Sequence, residues 1–127
     1  MNTSLINQKN QTCIDTCNEC TMMCEACCTE CMSNTEMAGM MGRCMMMCRD
    51  CAMMCTMTAM MMARGSEYSK QMCEMCATVC DACAMECEKM GNKMEACKNV
   101  LKCVKNVPKN VETWWDNFLI KHLILYI

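Results

Sequence analysis

The sequence predicts an all-α fold, an antiparallel up-down-up-down four-helix bundle with a Cys-lined core. Cysteines recur along three stretches at alternating spacings of three and four residues, and such spacing places side chains on one face of an α-helix. Short segments containing Gly, Ser or Asn separate four helical stretches, and short connections are typical of antiparallel neighbours in a bundle. Sulfur therefore occupies the positions that face the predicted core.

The four predicted helices span 11–32, 36–63, 67–90 and 93–107. The polar segment 33–35 forms the first turn, and 65–66 forms the second. Gly91 ends the third helix, and Pro108 ends the fourth because proline lacks the N–H that a helix interior needs. A chain of this length fits one domain, which we divide into a flexible N-terminus, a Cys-rich bundle and an apolar C-terminal tail: 1–10, 11–107 and 108–127.

Sixteen cysteines occupy the core-facing stripes and are the main candidate metal ligands. They are Cys13, Cys17, Cys20, Cys24, Cys27, Cys31, Cys44, Cys48, Cys51, Cys55, Cys73, Cys76, Cys80, Cys83, Cys87 and Cys97. The seam of a bundle normally carries Leu, Ile or Val, but Ile14 and Val79 are the only Leu, Ile, Val or Phe residues between positions 11 and 98. A metal-free bundle of this composition should be only marginally ordered, and bound metal would supply much of its stability.

The cysteines could form either a disulfide scaffold or a set of reduced thiols. Neighbours three or four apart on a helix lie about 5–6 Å apart at Cβ, whereas a disulfide requires roughly 3.5–4.5 Å. The segment 1–10 shows no apolar run or cleavage pattern of a signal peptide. We therefore expect a reduced, cytoplasmic protein.

A long stripe of thiols suits Cu(I), a soft ion that prefers thiolate and thioether ligands. Two cysteines four apart on one helix, or one from each of two neighbouring helices, could hold a Cu(I) ion in a near-linear arrangement. Bridging thiolates would let the capacity approach one ion per core cysteine. The distance from Cys13 to Cys31 is roughly 27 Å along a helix, so the stripe lines the whole bundle rather than a single four-ligand zinc site.

Methionine continues the stripes at the end of the bundle formed by the first and third connections. The residues in register there are Met37, Met41, Met90 and Met94. A thioether is a weaker and more exchangeable soft ligand than a thiolate, so these residues could form an entry for Cu(I). Filling of space at the end of the bundle explains them equally well.

The spacing and local motifs resemble those of the bacterial copper storage proteins, which are Cys-lined four-helix bundles. The motifs are the cysteine stripe of the first helix, RDCAMMC in the second, CEMCATVCDACAMEC in the third and MEAC in the fourth. The resemblance covers roughly 11–105. It implies reversible storage of many Cu(I) ions per chain, a homotetramer and no catalytic turnover, and the lack of a leader resembles the cytosolic kind. Copper chaperones or small-molecule Cu(I) carriers would be the partners.

The chain departs from the family pattern in its fourth helix, its mouth and its tail. Where relatives carry cysteine, this chain has Met94, Leu101, Val104 and Pro108, and only Cys97 stays in register. One wall is therefore expected to be apolar. Cys28 and Cys103 lie off the stripes. Methionine stands where cytosolic relatives often carry histidine. The tail could form an amphipathic helix, for which docking onto the bundle or a neighbouring subunit is favoured over contact with a membrane interface.

Three other functions fit the sequence less well. The net charge of −2 provides no basic face for nucleic acid. A metallothionein-like buffer of Zn(II) or other thiophilic ions is the alternative, although in-line pairs on long helices suit two-coordinate ions better than tetrahedral ones. A disulfide-exchange protein usually has a single CxxC motif at a helix N-terminus, whereas the CxxC pairs here are many and lie within helices.

Overall fold

The protein is a four-helix bundle in a computed structural model that describes residues 8–33, 39, 42–90, 97–103 and 107. Helix α1 spans Gln8–Ser33, α2 spans Gly42–Ala63 and α3 spans Ser69–Met90. A fourth helical segment, α4, is described over 97–103. The described residues contain no strand. The predicted fold class is therefore confirmed, with α1 beginning three residues earlier than expected and α3 two residues later.

Neighbouring helices run antiparallel. The Cys20 thiol of α1 lies 3.6 Å from that of Cys51 on α2, whereas Cys28, further along α1, reaches back to the Met45 carbonyl. Contacts between α2 and α3 follow the same inverse order: Cys44 with Cys87, Cys48 with Cys83, Cys51 with Cys80, and Cys55 with Cys76. This order brings the stripes of the first three helices face to face.

The connection between α2 and α3 ends one helix and begins the next within a few residues. Gly65 has φ +65°, a left-handed conformation that glycine adopts without steric cost. Its N–H donates to the Met62 carbonyl at 3.2 Å, and the Ser66 N–H donates to the Met61 carbonyl at 3.0 Å, which together form a Schellman motif. The Ser66 hydroxyl then accepts the Tyr68 N–H at 3.1 Å. This tight turn fixes α3 antiparallel to α2.

The buried face of α4 differs from the predicted stripe. Val100 and Val107 have no exposed surface, whereas Leu101 is only partly buried, and Val104 lies outside the described residues. Because successive residues are about 100° apart around a helix, Leu101 lies on the side of α4 that also carries Lys98 and the exposed Lys102. Because the lysine ammonium groups remain hydrated, this side of α4 faces solvent, and Val100 lies on the buried side.

In the part of the chain that the structure describes, no helix has the combination of length and apolar character needed to cross a membrane. The sequence assigned 1–10 to a flexible N-terminus; of these, 8–10 belong to α1, and 1–7 lie outside the described residues. The C-terminal tail (108–127) also lies outside them.

Candidate metal centre

The interior of the bundle is lined with cysteine thiols. All eighteen cysteines are buried, and none forms a disulfide bond. Seven cross-helix contacts between cysteine thiols measure 3.5–3.8 Å, far longer than the roughly 2.05 Å of a disulfide bond. Burial, reduced thiols and short separations together make an environment from which water is excluded and in which sulfur is the abundant ligand.

Four groups of cysteines bring their Sγ atoms within 4.8 Å of one another. They are Cys20–Cys51–Cys55–Cys80, Cys17–Cys55–Cys76, Cys24–Cys48–Cys83 and Cys44–Cys48–Cys87. Three of these groups combine thiols from α1, α2 and α3. Cys55 belongs to two groups and Cys48 to the other two, so neighbouring groups share a sulfur that could bridge two ions.

The sulfur separations suit a soft ion held between two helices. A metal–sulfur bond is about 2.3 Å long for zinc, so two such bonds in line separate their sulfur atoms by about 4.6 Å. The contact of 3.5 Å between Cys51 and Cys80 and the contact of 3.7 Å between Cys48 and Cys83 would therefore open only slightly to admit an ion. Both two-thiolate and three-thiolate arrangements are available along the interior.

Burial sets the protonation of the thiols at the margins of the interior. Burial raises the pKa of Cys13 to about 11. It also raises the pKa of Cys73 to about 12, with smaller contributions from the neighbouring thiols of Cys13 and Cys76. The pKa of Cys28 is raised to about 11 for the same reason. These groups are neutral thiols near pH 7 because a thiolate would lose its hydration. A metal ion that binds them must displace protons.

Within each group, hydrogen bonds from neighbouring thiols lower the pKa of at least one thiol and so stabilise its thiolate. Hydrogen bonds from Cys24 and Cys51 lower the pKa of Cys20, and the pKa of Cys24 is raised because its thiol donates to Cys20. Cys83 follows the same pattern, since hydrogen bonds from Cys24 and Cys48 lower its pKa to about 5. Each group can therefore present a first thiolate to an incoming cation before the rest lose their protons.

Comparison with known families matches one family model to most of this chain. The family model described as "Copper storage protein" matches residues 6–112. The chain belongs to the copper storage protein family. No curated protein sequence is similar enough to count as a relative.

Two solved structures of copper storage proteins share the fold. The Cu(I)-bound copper storage protein BsCsp3 is 27% identical with a TM-score of 0.77, and the alignment covers 84% of this chain and 97% of that one. A mutant of the Streptomyces lividans Ccsp is also 27% identical with a TM-score of 0.77, with 87% of this chain and 95% of that chain covered. Both alignments extend over nearly the whole of the known protein.

The structure places the predicted cysteine ligands of this copper storage protein in two kinds of position. Eleven lie in the four groups above, and the other five lie nearer the ends. The Cys27 thiol is 3.8 Å from Cys97 of α4, and Cys31 hydrogen-bonds to Cys27. Cys73 lies beside Met62, and the thiol of Cys13 is close enough to influence the pKa of Cys73.

The predicted methionine ligands fall outside the part of the chain whose side chains the structure describes. Met37, Met41 and Met94 lie outside the described residues, as does the side chain of Met90. Met32, at the end of α1, is 63% exposed.

Sequence reasoning left two cysteines without a role and overlooked one methionine. The Cys28 thiol contacts the Met45 carbonyl at 3.5 Å, so it packs between α1 and α2 away from the four groups. Cys103 is buried near Glu19 of α1. Met62 is 2% exposed and lies in the core. Its spacing of seven residues from Cys55 was the signal that it continues the stripe of α2.

Proposed function

We propose that this chain binds and stores multiple Cu(I) ions through the thiolates that line the bundle, for copper storage or detoxification. The observation that carries the proposal is the set of four buried cysteine groups, linked in two pairs, whose Sγ atoms lie within 4.8 Å of one another in each group. A single catalytic or structural ion needs one site. Linked groups along the bundle instead suit an ion that is held in large numbers.

The proposed ligands are the sixteen cysteines of the stripes, with Met37, Met41, Met90 and Met94 as thioether ligands at one end. Uptake exchanges thiol protons for Cu(I), so each bound cation compensates the charge of the thiolate that it creates. The shared sulfurs of Cys48 and Cys55 would bridge ions in adjacent groups. This exchange fills the core with metal while the helices keep their positions.

We propose storage without catalytic turnover, in keeping with the family to which the chain belongs. Copper chaperones or small-molecule Cu(I) carriers would deliver and accept the ions. Reduced thiols at all eighteen cysteines support a reducing, cytoplasmic location.

We also propose that the chain assembles as a homo-oligomer, a tetramer by resemblance to its family. Large apolar side chains project from the outer faces of the helices, among them Met46, Met53 and Met85, each more than 60% exposed. Exposed apolar side chains on several faces fit contacts with other subunits. The bundle would comprise 11–107 with the first turn of α1, 8–10, added to it. The segment 1–7 would be flexible, and 108–127 would form a tail that docks on the bundle or a neighbouring subunit.

Anaerobic titration of the reduced protein with Cu(I), in competition with a Cu(I) chelator, tests the proposal. We expect many equivalents per chain with little change in helix content, because the thiols already face one another before metal binds. Saturation at one or two equivalents would contradict storage.

A Zn(II) buffer is the second candidate, and one observation favours it. The group Cys20–Cys51–Cys55–Cys80 offers four sulfur ligands within 4.8 Å of one another, which matches the ligand number of a structural zinc site. The metal content of the protein after expression in copper-supplemented and in zinc-supplemented cells distinguishes the two. Copper storage predicts many copper ions from the first culture and few zinc ions from the second.

A further inference from the structure

The stripe of α2 changes its chemistry towards the turn that connects it to α3. After Cys55 the buried residues of α2 are Thr58, Ala59 and Met62, which are 0%, 4% and 2% exposed. The Thr58 hydroxyl donates to the Met54 carbonyl at 2.7 Å. Met62 therefore lies beyond an oxygen-bearing position, apart from the four cysteine groups.

Met62 has a sulfur partner on the neighbouring helix. The Cys73 thiol of α3 lies 3.8 Å from Met62 Sδ and is oriented to donate a hydrogen bond to it. Cys73 is 1% exposed, and Cys13 of α1, 2% exposed, is near enough to influence it. Sulfur-bearing side chains from α2 and α3 thus meet at this end of the bundle.

This burial distinguishes Met62 from the other methionines. Among the residues whose side chains the structure describes, it is the only methionine in the buried core. Met60, two residues earlier on the same helix, is 49% exposed. A thioether lone pair is a poor hydrogen-bond acceptor but a good ligand for a soft ion, so its placement against a thiol has a chemical consequence beyond packing.

The net charge of a Cu(I) ion bound by one thiolate and one thioether suits this end of the core. Cu(I) bound by one thiolate and one neutral thioether has no net charge, whereas Cu(I) bound by two thiolates carries one negative charge. An uncompensated buried charge is costly. In the cysteine groups, thiolates shared between several ions can balance the charge, whereas a site at the end of the stripe has groups to share with on one side only. A thioether in place of a second thiolate removes this cost.

We propose that Met62 Sδ and Cys73 Sγ together bind a Cu(I) ion at the end of the bundle where α2 joins α3, separate from the thiolate groups. The 3.8 Å separation is shorter than the span of about 4.6 Å for two opposed metal–sulfur bonds, so a small movement of the flexible methionine side chain admits the ion. Binding breaks the Cys73 S–H bond, releases its proton and forms one Cu–thiolate and one Cu–thioether bond without oxidation or reduction. The inference rests on the proposed binding of Cu(I) by this chain.

The test follows the methionine methyl groups by NMR in protein labelled with ¹³C at the methionine methyl carbon, during anaerobic addition of Cu(I) alone. The variants Met62→Leu and Met60→Leu identify the two signals and serve as a matched pair, since a Met-to-Leu change conserves volume. We expect the Met62 signal to shift during the titration and the Met60 signal to stay in place. Met62→Leu should lower copper at saturation by about one ion per chain, and Met60→Leu should not.

A Met62 signal that stays in place up to saturation, while thiolate absorption grows, would overturn the inference and leave copper storage intact. Absence of both thiolate absorption and copper uptake would instead refute the proposed function itself. If Met62→Leu does not fold, the variant Cys73→Ser replaces it. The Met62 methyl shift should then be lost, and its persistence would overturn the inference.

Discussion

The thiols of Cys51 on α2 and Cys80 on α3 lie 3.5 Å apart. The Cys20 thiol of α1 approaches Cys51 from the other side at 3.6 Å. Cys51 therefore joins three helices through sulfur contacts alone. Its side chain has no exposed surface, so any ion that it binds is shielded from water.

Replacement of Cys51 by serine should lower the number of Cu(I) ions held at saturation by about one or two, because a hydroxyl is a poor ligand for a soft ion. Cys28→Ser is the matched control, since Cys28 is also buried but contacts a backbone carbonyl. Chelator competition on the two reduced variants measures the difference. Equal capacities would contradict the role of the four groups.

Replacement of Val100 by cysteine should increase the copper capacity. Val100 is fully buried on α4, three residues after Cys97, and a thiol there would extend the sulfur lining onto the apolar wall. We expect a gain of up to about one ion per chain, since a bridging thiolate can serve an additional Cu(I). Leu101→Cys, on the partly exposed side of α4, is the control. A gain in the control but not in Val100→Cys would show that the valine does not face the metal-binding interior.

The metal-free, reduced protein should lose stability as the pH rises above about 9. The pKa values of Cys28 and Cys103 are raised to about 11, and that of Cys73 to about 12, from an ordinary value of 9.0. Above pH 9 the unfolded chain binds fewer protons than the native state at these groups, so the free energy of unfolding falls until the native thiols also ionise. Chemical denaturation at about pH 8 and about pH 10.5 measures this loss.

Thiols with a lowered pKa act in another pH range. Cys83, with a pKa of about 5, contributes stability that is lost as the pH falls from about 9 to about 5, so it does not offset the loss at high pH. An unfolding free energy that stays constant or increases from about pH 9 to about pH 11 would contradict the assignment of buried neutral thiols.

Removal of copper should lower the melting temperature. A ligand that binds only the native state at about 1,000 times its Kd adds about 4 kcal/mol to the free energy of unfolding, which corresponds to a shift of about 10 °C or more for a domain of this size. Thermal unfolding followed by circular dichroism, with and without prior chelation under anaerobic conditions, measures the shift. Equal melting temperatures would show that the ions bind native and unfolded chains alike.

Replacement of Met37, Met41, Met90 and Met94 by leucine should slow copper uptake more than it lowers capacity. The expected reason is that thioethers bind Cu(I) weakly enough to pass it on to the thiolates. Stopped-flow measurement of thiolate absorption gives the rate, and equilibrium titration gives the capacity. Unchanged uptake rates in the variant would favour the alternative that these methionines only fill space.

The stripes of cysteine were predictable because the angle between successive residues is a property of the helix itself. Spacings of three and four residues place Cys13 to Cys31 on one face whatever the helix packs against. The scarcity of aliphatic side chains then required sulfur to fill the core. The turn at Gly65 was likewise predictable, since a left-handed residue that ends a helix is most often glycine.

The pairing of sulfur atoms across helices was not predictable in the same way. Cys55 contacts both Cys76 and Cys80 at 3.8 Å, and the choice depends on the separation and axial offset of α2 and α3. The rotation of α4 that buries Val100 rather than Leu101, and the meeting of Met62 with Cys73, depend on packing between helices in the same way. By itself the sequence determined which cysteines share one face of α1, α2 and α3, because helical geometry is local. Only the tertiary structure decided which thiols share an ion, because that depends on distances between atoms far apart in the chain.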